Sequence, residues 1–359
     1  MTPLPHALLV AGPTASGKSA LALALAERLH GTIINADSMQ VYAELRVLTA
    51  RPTAQEEACI PHRLYGVRPA AQPGSVAWWR EEALAAMDAA RQDNRVPIVT
   101  GGTGLYFGSL TQGLAAIPPP DPQARAEART LLHDIGAPAL HARLAAVDPA
   151  TAAKLQPNDG QRIARAWEVW RSTGTGLAAW QAQGDQGRDQ GLDHGRDLER
   201  DRSPDQGRDP RRDPERDPRR DRGRGTPAPW RFSAILLDPP REELRAAIAT
   251  RFAAMLAEGA LEEVRALHAQ HLDPALPAMR AHGVPELSAH LRGEITLEEA
   301  GRRTGLVTGQ YTKRQATWFR HQQLVHSPAM HIIGSRIEDF TQFSVSFLLD
   351  MDNFINAAG

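Results

Sequence analysis

The chain has 359 residues, a formal net charge of −1 and a hydrophobic fraction of 42%, which is enough for a full core and for two domains. Because the net charge is close to zero, bulk charge cannot drive nucleic-acid binding. A nucleic acid would have to bind at local basic patches. One cysteine, Cys59, excludes a disulfide framework and a cysteine metal cluster. This cysteine usage suits the cytoplasm. No apolar stretch reaches the roughly 18 residues that a membrane span needs, so we expect no membrane partner, and a monomer is the default.

Residues 12–19 match the phosphate-loop pattern G-x-x-x-x-G-K-[ST] without a mismatch. An apolar run precedes them and a helix-forming segment follows, which is the context that the motif requires and which disfavours a chance match. Glycines let N–H groups turn toward an anion at the helix N-terminus. The motif predicts a di- or triphosphate site, with Lys18 on the terminal phosphates and Ser19 holding Mg²⁺. Its residues are Gly12, Pro13, Thr14, Ala15, Ser16, Gly17, Lys18 and Ser19.

Two further strand patterns direct polar groups to the same place. Residues 32–37 resemble a short buried strand with Asp37 at its carboxyl end, and the strand 96–99 ends in a glycine-rich turn that contains Thr103. A helical pattern, 76–91, lies between them. This alternation predicts an α/β fold with a parallel, doubly wound sheet. Ligands bind at the carboxyl edge of such sheets, so Asp37 should lie beside the phosphate loop.

The pattern changes at the three prolines 118–120. Helical patterns at 121–135, 138–147 and 158–172, with no strand between them, predict a small all-helical domain, 118–180, inserted into a P-loop core. Ile163, Trp167 and Trp170 form a core-facing stripe on its last helix, with Arg162 and Arg165 on the opposite flank. From periodicity alone, these two arginines are as consistent with an ordinary solvated helix face as with a functional surface. The two parts of the core are 1–117 and 227–325.

Residues 181–226 consist mainly of Gly, Asp, Arg, Pro and Gln, with equal numbers of acids and arginines between Asp185 and Arg224. Such a composition predicts a disordered insert without a catalytic role, and we expect deletion of 185–224 to preserve activity. A strand at 232–238 and helices at 241–256, at 261–270 and from a capping box at 296–299 follow. The tail 326–359 carries no functional signal, although 343–349 could add a strand.

A phosphate loop alone leaves a large class of proteins open. No typical Walker B strand follows it, and Asp37 directs a carboxylate at the phosphate end, which disfavours a motor or switch NTPase. Transferases remain, and so does a small-molecule kinase with ATP in the loop and Asp37 as the base for a hydroxyl acceptor. A non-catalytic RNA-binding module would not explain why Lys18, Ser19 and Asp37 converge.

Six blocks of the sequence resemble the tRNA dimethylallyltransferases, also called isopentenyl-tRNA transferases. They occur in the family's order between about residue 7 and residue 320. The segment 281–287 departs from the family's Gly-Tyr-Arg pattern, and neither the insert nor the tail after Arg320 has a counterpart. The six blocks are 12–19, 35–42, 61–64, 101–106, 158–166 and 311–320.

The resemblance implies transfer of a dimethylallyl group from dimethylallyl diphosphate to N6 of the adenosine 3′ of the anticodon, in tRNAs that read codons beginning with U. Lys18 and Mg²⁺ would stabilise the leaving diphosphate. Arg251 is similar to the family's diphosphate-contacting arginine, with an exposed helix arginine as the alternative. Asp37 would orient N6 and take its proton as the C–N bond forms, or else act as an outer-shell magnesium ligand. Thr103 completes the implied catalytic set. It would hydrogen-bond either the diphosphate or the tRNA phosphate next to the target base.

The resemblance also implies how the tRNA anticodon stem-loop is recognised. The target base would leave its stack and enter a closed channel. Basic Lys313, Arg314 and Arg320 could contact the stem, or could be solvated charges on a packed helix. The residues that would contact tRNA are Asp37, Ser38, Met39, Gln40, Thr103, Arg125, Gln161, Arg162, Ile163, Ala164 and Arg165.

Overall fold

The computed structural model of the chain describes residues 4–182 and 227–337. Nearly all of the predicted disordered insert, and the possible strand at 343–349, lie outside these ranges. The chain forms two units, Met1–Thr111 with Ala228–Gly359, and Gln112–Pro227.

The first unit is built on a six-stranded sheet. Its strands are β1 His6–Ala11, β2 Gly31–Asn35, β3 His62–Arg63, β4 Val96–Gly101, β5 Arg231–Leu237 and β6 Met330–Ile333. Their order is β3-β2-β4-β1-β5-β6, and every pairing is parallel. In the central strand, Val10 lies opposite Thr100 of β4 and Ile235 of β5. The predicted parallel α/β sheet is confirmed, with the phosphate-loop strand at its centre.

Helices connect the strands of the first unit and build the second. They are α1 Lys18–Arg28, α2 Ala54–Cys59, α3 Val76–Gln92, α4 Gly104–Thr111, α5 Pro122–Val147, α6 Pro149–Ala152, α7 Gly160–Thr173, α8 Arg241–Ala257, α9 Ala260–His268, α10 Val284–Leu291 and α11 Leu297–His321. No helix in the described ranges is long and apolar enough to cross a membrane.

The sheet carries apolar layers on both faces because successive residues of β1 point to opposite sides. Leu8 packs in one layer with Leu21 of α1, and Leu9 packs in the other with Trp79 of α3. All four side chains are fully buried, and burial of each leucine contributes about 2 kcal/mol. Because helices cover both faces of the sheet, a ligand can reach it at the carboxyl ends of the strands.

Helix α3 also fixes the end of β2. Ser75 caps it by accepting a hydrogen bond from the Trp78 N–H at 3.1 Å. One residue further on, the buried indole Nε1 of Trp79 donates to the Asn35 carbonyl at 2.8 Å. The last residue of β2 is therefore held from the helix layer, and the loop that follows it starts from a fixed point.

Two strands differ from the sequence-based expectation. The edge strand β3 has two residues and the outer strand β6 has four, which is too short for a hydrophobic period to be recognised. In β6, Met330 to Ile333 pair with Ala234 to Leu237 of β5. This part of the predicted tail is therefore a strand of the core sheet.

In its described residues, the second unit, Gln112–Pro227, contains helices and connecting loops but no strand. Helix α5 is continuous except at Gly136, whose φ of 76° and ψ of 168° separate it into two halves. These halves correspond to the predicted helices at 121–135 and 138–147. Helix α7 packs on them through Ile163 and Trp167, and the Trp167 indole donates to the Glu127 carboxylate at 3.2 Å.

Candidate active site

The phosphate loop joins β1 to α1 at the carboxyl edge of the sheet. Ala15 and Gly17 have left-handed backbones, with φ of 67° and 91°. Turns with such residues direct neighbouring N–H groups to one side and create a concave anion site. Lys18 is the first residue of α1, so the N-terminus of the helix adds its positive potential at the same point.

Asp37 lies two residues past β2 and is held by its neighbours. The buried side chain of Asn35 accepts from the Asp37 N–H at 2.8 Å and donates to the Asp37 carbonyl at 3.0 Å. The Asp37 carboxylate oxygen Oδ1 accepts from the Met39 N–H at 2.9 Å. Within the described part of the chain, its second oxygen, Oδ2, has no hydrogen-bond partner, which leaves one carboxylate oxygen for a substrate.

The glycine turn after β4 is joined to the Asp37 loop. A Cβ on Gly101 would collide with the Ala36 backbone, so only glycine allows the two loops to lie this close. The Thr103 hydroxyl accepts from the Ser38 N–H at 3.0 Å, and the Thr103 N–H donates to the Ala36 carbonyl at 3.1 Å. Thr103 thus orients the residues on both sides of Asp37.

Helix α11 supplies two side chains whose position sequence reasoning did not anticipate. The Gln315 oxygen accepts from the Thr14 N–H at 2.9 Å, and its Nε2 donates to the Gly102 carbonyl at 2.9 Å. Gln315 therefore joins the phosphate loop to the glycine turn. One helical turn earlier, burial and the Asp37 carboxylate raise the pKa of Tyr311 to about 12, against opposing hydrogen bonds to Thr103 and Gln315. The i, i+4 spacing of Tyr311 and Gln315, which places them on one face of α11, was the only sequence signal that both could face the site.

Replacing Gln315 by alanine is expected to lower the free energy of unfolding by about 2 kcal/mol, because two backbone groups lose their partners in a buried place. The affinity of the loop for a phosphate-bearing ligand should fall as well, since Thr14 belongs to the phosphate loop. Gln310→Ala, an exposed position of the same helix, is the matched control and should change stability by less than about 0.5 kcal/mol. Equal denaturation midpoints for the two variants would contradict this role.

Two cations share one acid at the site. The pKa of Lys18 is lowered to about 8, mainly by burial; the Asp37 carboxylate opposes this shift and the neighbouring Arg251 adds to it. Burial also lowers the pKa of Arg251, again opposed by Asp37. Arg251 makes no ion pair with a described residue, and its guanidinium donates only to the Thr49 carbonyl, at 3.4 Å. The site therefore carries excess positive charge in a partly desolvated place.

An open cavity lies between these groups. Its apolar part comes from Leu48, Ile248, Phe252 and Met255. The other lining residues are Thr14, Asp37, Met39, Thr49, Arg251, Ala281, His282, Thr304, Thr308 and Tyr311. Such a cavity suits a ligand with one anionic and one apolar end.

His282 is a third residue whose place in the site the sequence did not indicate. Its ring centroid is 5.0 Å from that of Tyr311. Burial lowers its pKa, with Arg314 acting in the same direction and Glu286 and Asp37 in the opposite one. It belongs to the segment 281–287, where the only signal was a departure from the resembled pattern.

The structure brings some of the predicted site residues together and separates others. Thr14, Asp37, Met39 and Arg251 line one cavity, whereas Gln40 is half-buried and donates to the carbonyls of two residues in the next loop, Thr49 and Ala50. Ser38 and Thr103 are hydrogen-bonded to each other beside Asp37. The other predicted tRNA contacts lie in the helical unit: Arg125, Gln161, Arg162, Ile163, Ala164 and Arg165.

Two of the predicted tRNA contacts are core residues of that unit. Ile163 is 0% and Ala164 7% exposed, since the hydrophobic stripe of α7 includes them. We therefore remove both from the predicted contact surface. Gln161 and Arg162 are exposed and Arg165 is half-buried. Arg162 pairs with Asp159, the N-cap residue of α7, at 3.4 Å. Arg165 pairs with Glu168 of the same helix at 3.2 Å.

The fold and the site together define an α/β protein with a cationic pocket at the carboxyl edge of its sheet. The family model described as IPP transferase matches residues 40–322. The chain is 56% identical over 353 residues to the tRNA dimethylallyltransferase of Granulibacter bethesdensis, covering 98% of both. It is 53% identical over 350 residues to that of Gluconobacter oxydans, covering 98% of this chain and 94% of the other. The chain belongs to the IPP transferase family.

Solved structures agree with this assignment. The full-length tRNA isopentenylpyrophosphate transferase of Bacillus halodurans is 26% identical with a TM-score of 0.61, covering 99% of this chain and 96% of that one. A eukaryotic dimethylallyltransferase captured acting on tRNA shares the fold, with a TM-score of 0.71 at 22% identity over 99% and 80% of the two chains. The predicted family and the prediction of an enzyme are confirmed, and the kinase alternative is not favoured.

Proposed function

We propose that the chain transfers the dimethylallyl group of dimethylallyl diphosphate to N6 of the adenosine immediately 3′ of the anticodon, in tRNAs that read codons beginning with U. The products are N6-dimethylallyladenosine and diphosphate. One observation carries the proposal: Lys18 and Arg251, two desolvated cations with a single shared acid, lie beside a cavity with an apolar end. The names of the full-length relatives support the same reaction.

The diphosphate is the leaving group, and the phosphate loop is its binding site. N–H groups of the loop, the Lys18 ammonium and the Arg251 guanidinium face the charge that grows on the diphosphate as the C–O bond breaks. Preorganised donors in a partly desolvated site stabilise such charge more strongly than water does. The diphosphate in turn neutralises the excess positive charge of Lys18 and Arg251.

Magnesium fits this site as a partner of the diphosphate. Within residues 4–182 and 227–337, no group of three or more His, Cys, Asp or Glu residues could hold a metal ion. Mg²⁺ commonly takes one or two protein ligands and completes its shell with phosphate oxygens and water. The exposed Ser19 hydroxyl in the first turn of α1 would be the protein ligand. When bound, Mg²⁺ neutralises charge on the leaving diphosphate.

The apolar part of the cavity suits the five-carbon group. Leu48, Ile248, Phe252 and Met255 line it, so the allyl chain would be packed against aliphatic and aromatic carbon. An allylic centre with cationic character reacts with water, and an apolar wall excludes that side reaction. The acceptor nucleoside would enter from the side of Asp37 and Met39.

Asp37 orients the acceptor and accepts its proton. The N6 lone pair is delocalised into the adenine ring, so N6 is a weak nucleophile until the allyl carbon approaches. C1 of the allyl group then bonds to N6 as its bond to the diphosphate oxygen breaks, and the N6 proton becomes acidic. The Asp37 oxygen that is not held by the Met39 N–H accepts this proton and later releases it to solvent.

We further propose that the enzyme works in the cytoplasm as a monomer. The one cysteine, Cys59, is a free and exposed thiol, which suits a reducing compartment.

We expect charge reversal at both Arg162 and Arg165 to weaken tRNA binding by at least tenfold, because two phosphate contacts are lost and replaced by repulsion. The slope of log affinity against log salt should fall by about two. The affinity for diphosphate should not change. Arg143→Glu, an exposed residue of α5, makes the same kind of charge change away from the predicted surface. An equal loss of tRNA affinity per reversed charge in Arg143→Glu would show that only the net charge of the protein affects tRNA binding, and would contradict the prediction.

Diphosphate release tests the proposed function. Wild-type protein with Mg²⁺ should release diphosphate only when both dimethylallyl diphosphate and unmodified tRNA are present. A tRNA with guanosine in place of the target adenosine should give no release. Turnover of ATP with a small hydroxyl acceptor, and none with dimethylallyl diphosphate and tRNA, would contradict the proposal.

A further inference from the structure

The chain returns to the phosphate loop after the last strand. Beyond β6, the Arg336 side chain donates from Nε to the Ala15 carbonyl at 3.0 Å. The next residue, Ile337, donates its N–H to the Ser16 carbonyl at 3.1 Å. Two successive carbonyls of the loop are thus bound by two successive residues more than 300 positions later in the chain. We call residues 336–337 the strap.

The strap binds two carbonyls of the loop from outside it. A peptide group directs its N–H and its C=O in opposite directions, so holding the Ser16 carbonyl turned outward keeps the Gly17 N–H turned inward, while the Ser16 N–H closes the turn by donating to the Pro13 carbonyl at 3.3 Å. Ala15 has a left-handed backbone, which a residue with a Cβ rarely adopts. Such a conformation persists where surrounding contacts fix it, and the strap provides two of them.

The strap is itself anchored to two helices. The Ile337 side chain is 6% exposed and packs in the same apolar cluster as Leu21 and Leu25 of α1. The Arg336 N–H donates to the Glu243 carboxylate of α8 at 3.1 Å. A Cβ on Gly17 would collide with the Ile337 carbonyl, so the strap lies directly against the turn that precedes Lys18.

We propose that Arg336 and Ile337 are positioning residues for the diphosphate site, which hold the phosphate loop in its anion-binding conformation from the carbonyl side. The inference rests on the proposed function, because it concerns the leaving group of that reaction. Both residues lie outside the segment 40–322 that the family model matches. Arg336 also places a positive charge behind the loop, which acts in the same direction.

Full-length variants test the strap with inorganic diphosphate and Mg²⁺ as the probe. Arg336→Ala removes the bond to Ala15, and Ile337→Pro removes the N–H that binds Ser16, while Ile337→Val keeps that N–H and is the matched control. We expect Arg336→Ala and Ile337→Pro each to weaken diphosphate binding by about tenfold, the equivalent of one charge-assisted or buried hydrogen bond. Ile337→Val should stay within about twofold of wild type.

The kinetic pattern separates positioning from loss of fold. The KM for dimethylallyl diphosphate should rise with the loss of diphosphate affinity, whereas the KM for tRNA and kcat at saturating substrate should change by less than about twofold. Unchanged diphosphate binding in Arg336→Ala would overturn the proposal. So would parallel losses in diphosphate binding, tRNA binding and melting temperature. Wild-type protein that binds no diphosphate would overturn the proposed function together with the strap.

Discussion

Asp37→Ala is expected to lower the rate of transfer by about three orders of magnitude while tRNA still binds. General-base catalysis by a positioned side chain contributes roughly 10²–10⁴ in rate, and Asp37 is the one acid that lines the described cavity. Single-turnover transfer with saturating enzyme measures the chemical step directly. Asp88→Asn, an exposed acid on α3, is the control and should retain wild-type rate.

The same variant distinguishes a base from a magnesium ligand. Among the described residues, Asp37 is the only acid that opposes Lys18 and Arg251 at the site. Because Asp37→Ala removes it, inorganic diphosphate should bind as tightly as in wild type or more tightly. Excess Mg²⁺ should not restore transfer. Recovery of activity at high Mg²⁺, with weakened diphosphate binding at low Mg²⁺, would show instead that Asp37 acts through the metal.

Lys18→Met is expected to abolish transfer and to stabilise the ligand-free protein at pH 7. Burial lowers the pKa of Lys18 to about 8, below the roughly 10.4 of an unfolded chain, so the charged amine opposes folding. This cost is fully present below pH 8 and disappears as pH rises from 8 to about 10. Its upper limit is about 3 kcal/mol, and we expect 1–2 kcal/mol because Lys18 is half-buried and also donates to the Pro13 carbonyl at 3.3 Å.

Denaturation of the two proteins at pH 7 and at pH 9.5 tests this sign. The stability advantage of Lys18→Met should be clear at pH 7 and much smaller at pH 9.5, and diphosphate binding by wild type should weaken above pH 8 as Lys18 loses its proton. Lys154→Met, at an exposed lysine, should show neither effect. A Lys18→Met protein that is less stable than wild type at pH 7 would contradict the account of a destabilised, functional lysine.

Those parts of the site that lie on local sequence patterns could be predicted. The phosphate loop follows one buried strand and Asp37 and Thr103 follow two others, and parallel strands end at the same edge of a sheet. Hydrophobic period and glycine turns therefore sufficed to bring these residues together. Arg251 was accessible only through the family resemblance, since nothing in the pattern of α8 separates it from an exposed helix arginine.

The remaining parts depend on contacts between distant segments. Gln315 meets Thr14 across 301 positions, and Ile337 meets Ser16 across an even longer interval, so no local pattern could indicate either pair. The buried Ile163 gives the opposite lesson. Its helical periodicity already placed it in the core, and the resemblance alone had added it to the tRNA contacts. Where the two disagreed, the packing argument was the better guide.

Nucleoside mass analysis of tRNA after reaction tests the central claim most directly. Unmodified tRNAs that read U-initial codons, incubated with wild-type protein, dimethylallyl diphosphate and Mg²⁺, should yield adenosine carrying one dimethylallyl group on N6, located 3′ of the anticodon. Asp37→Ala and Lys18→Met should give almost none. A wild-type reaction that leaves every tRNA nucleoside unchanged, while ATP phosphorylates a small acceptor, would contradict the account.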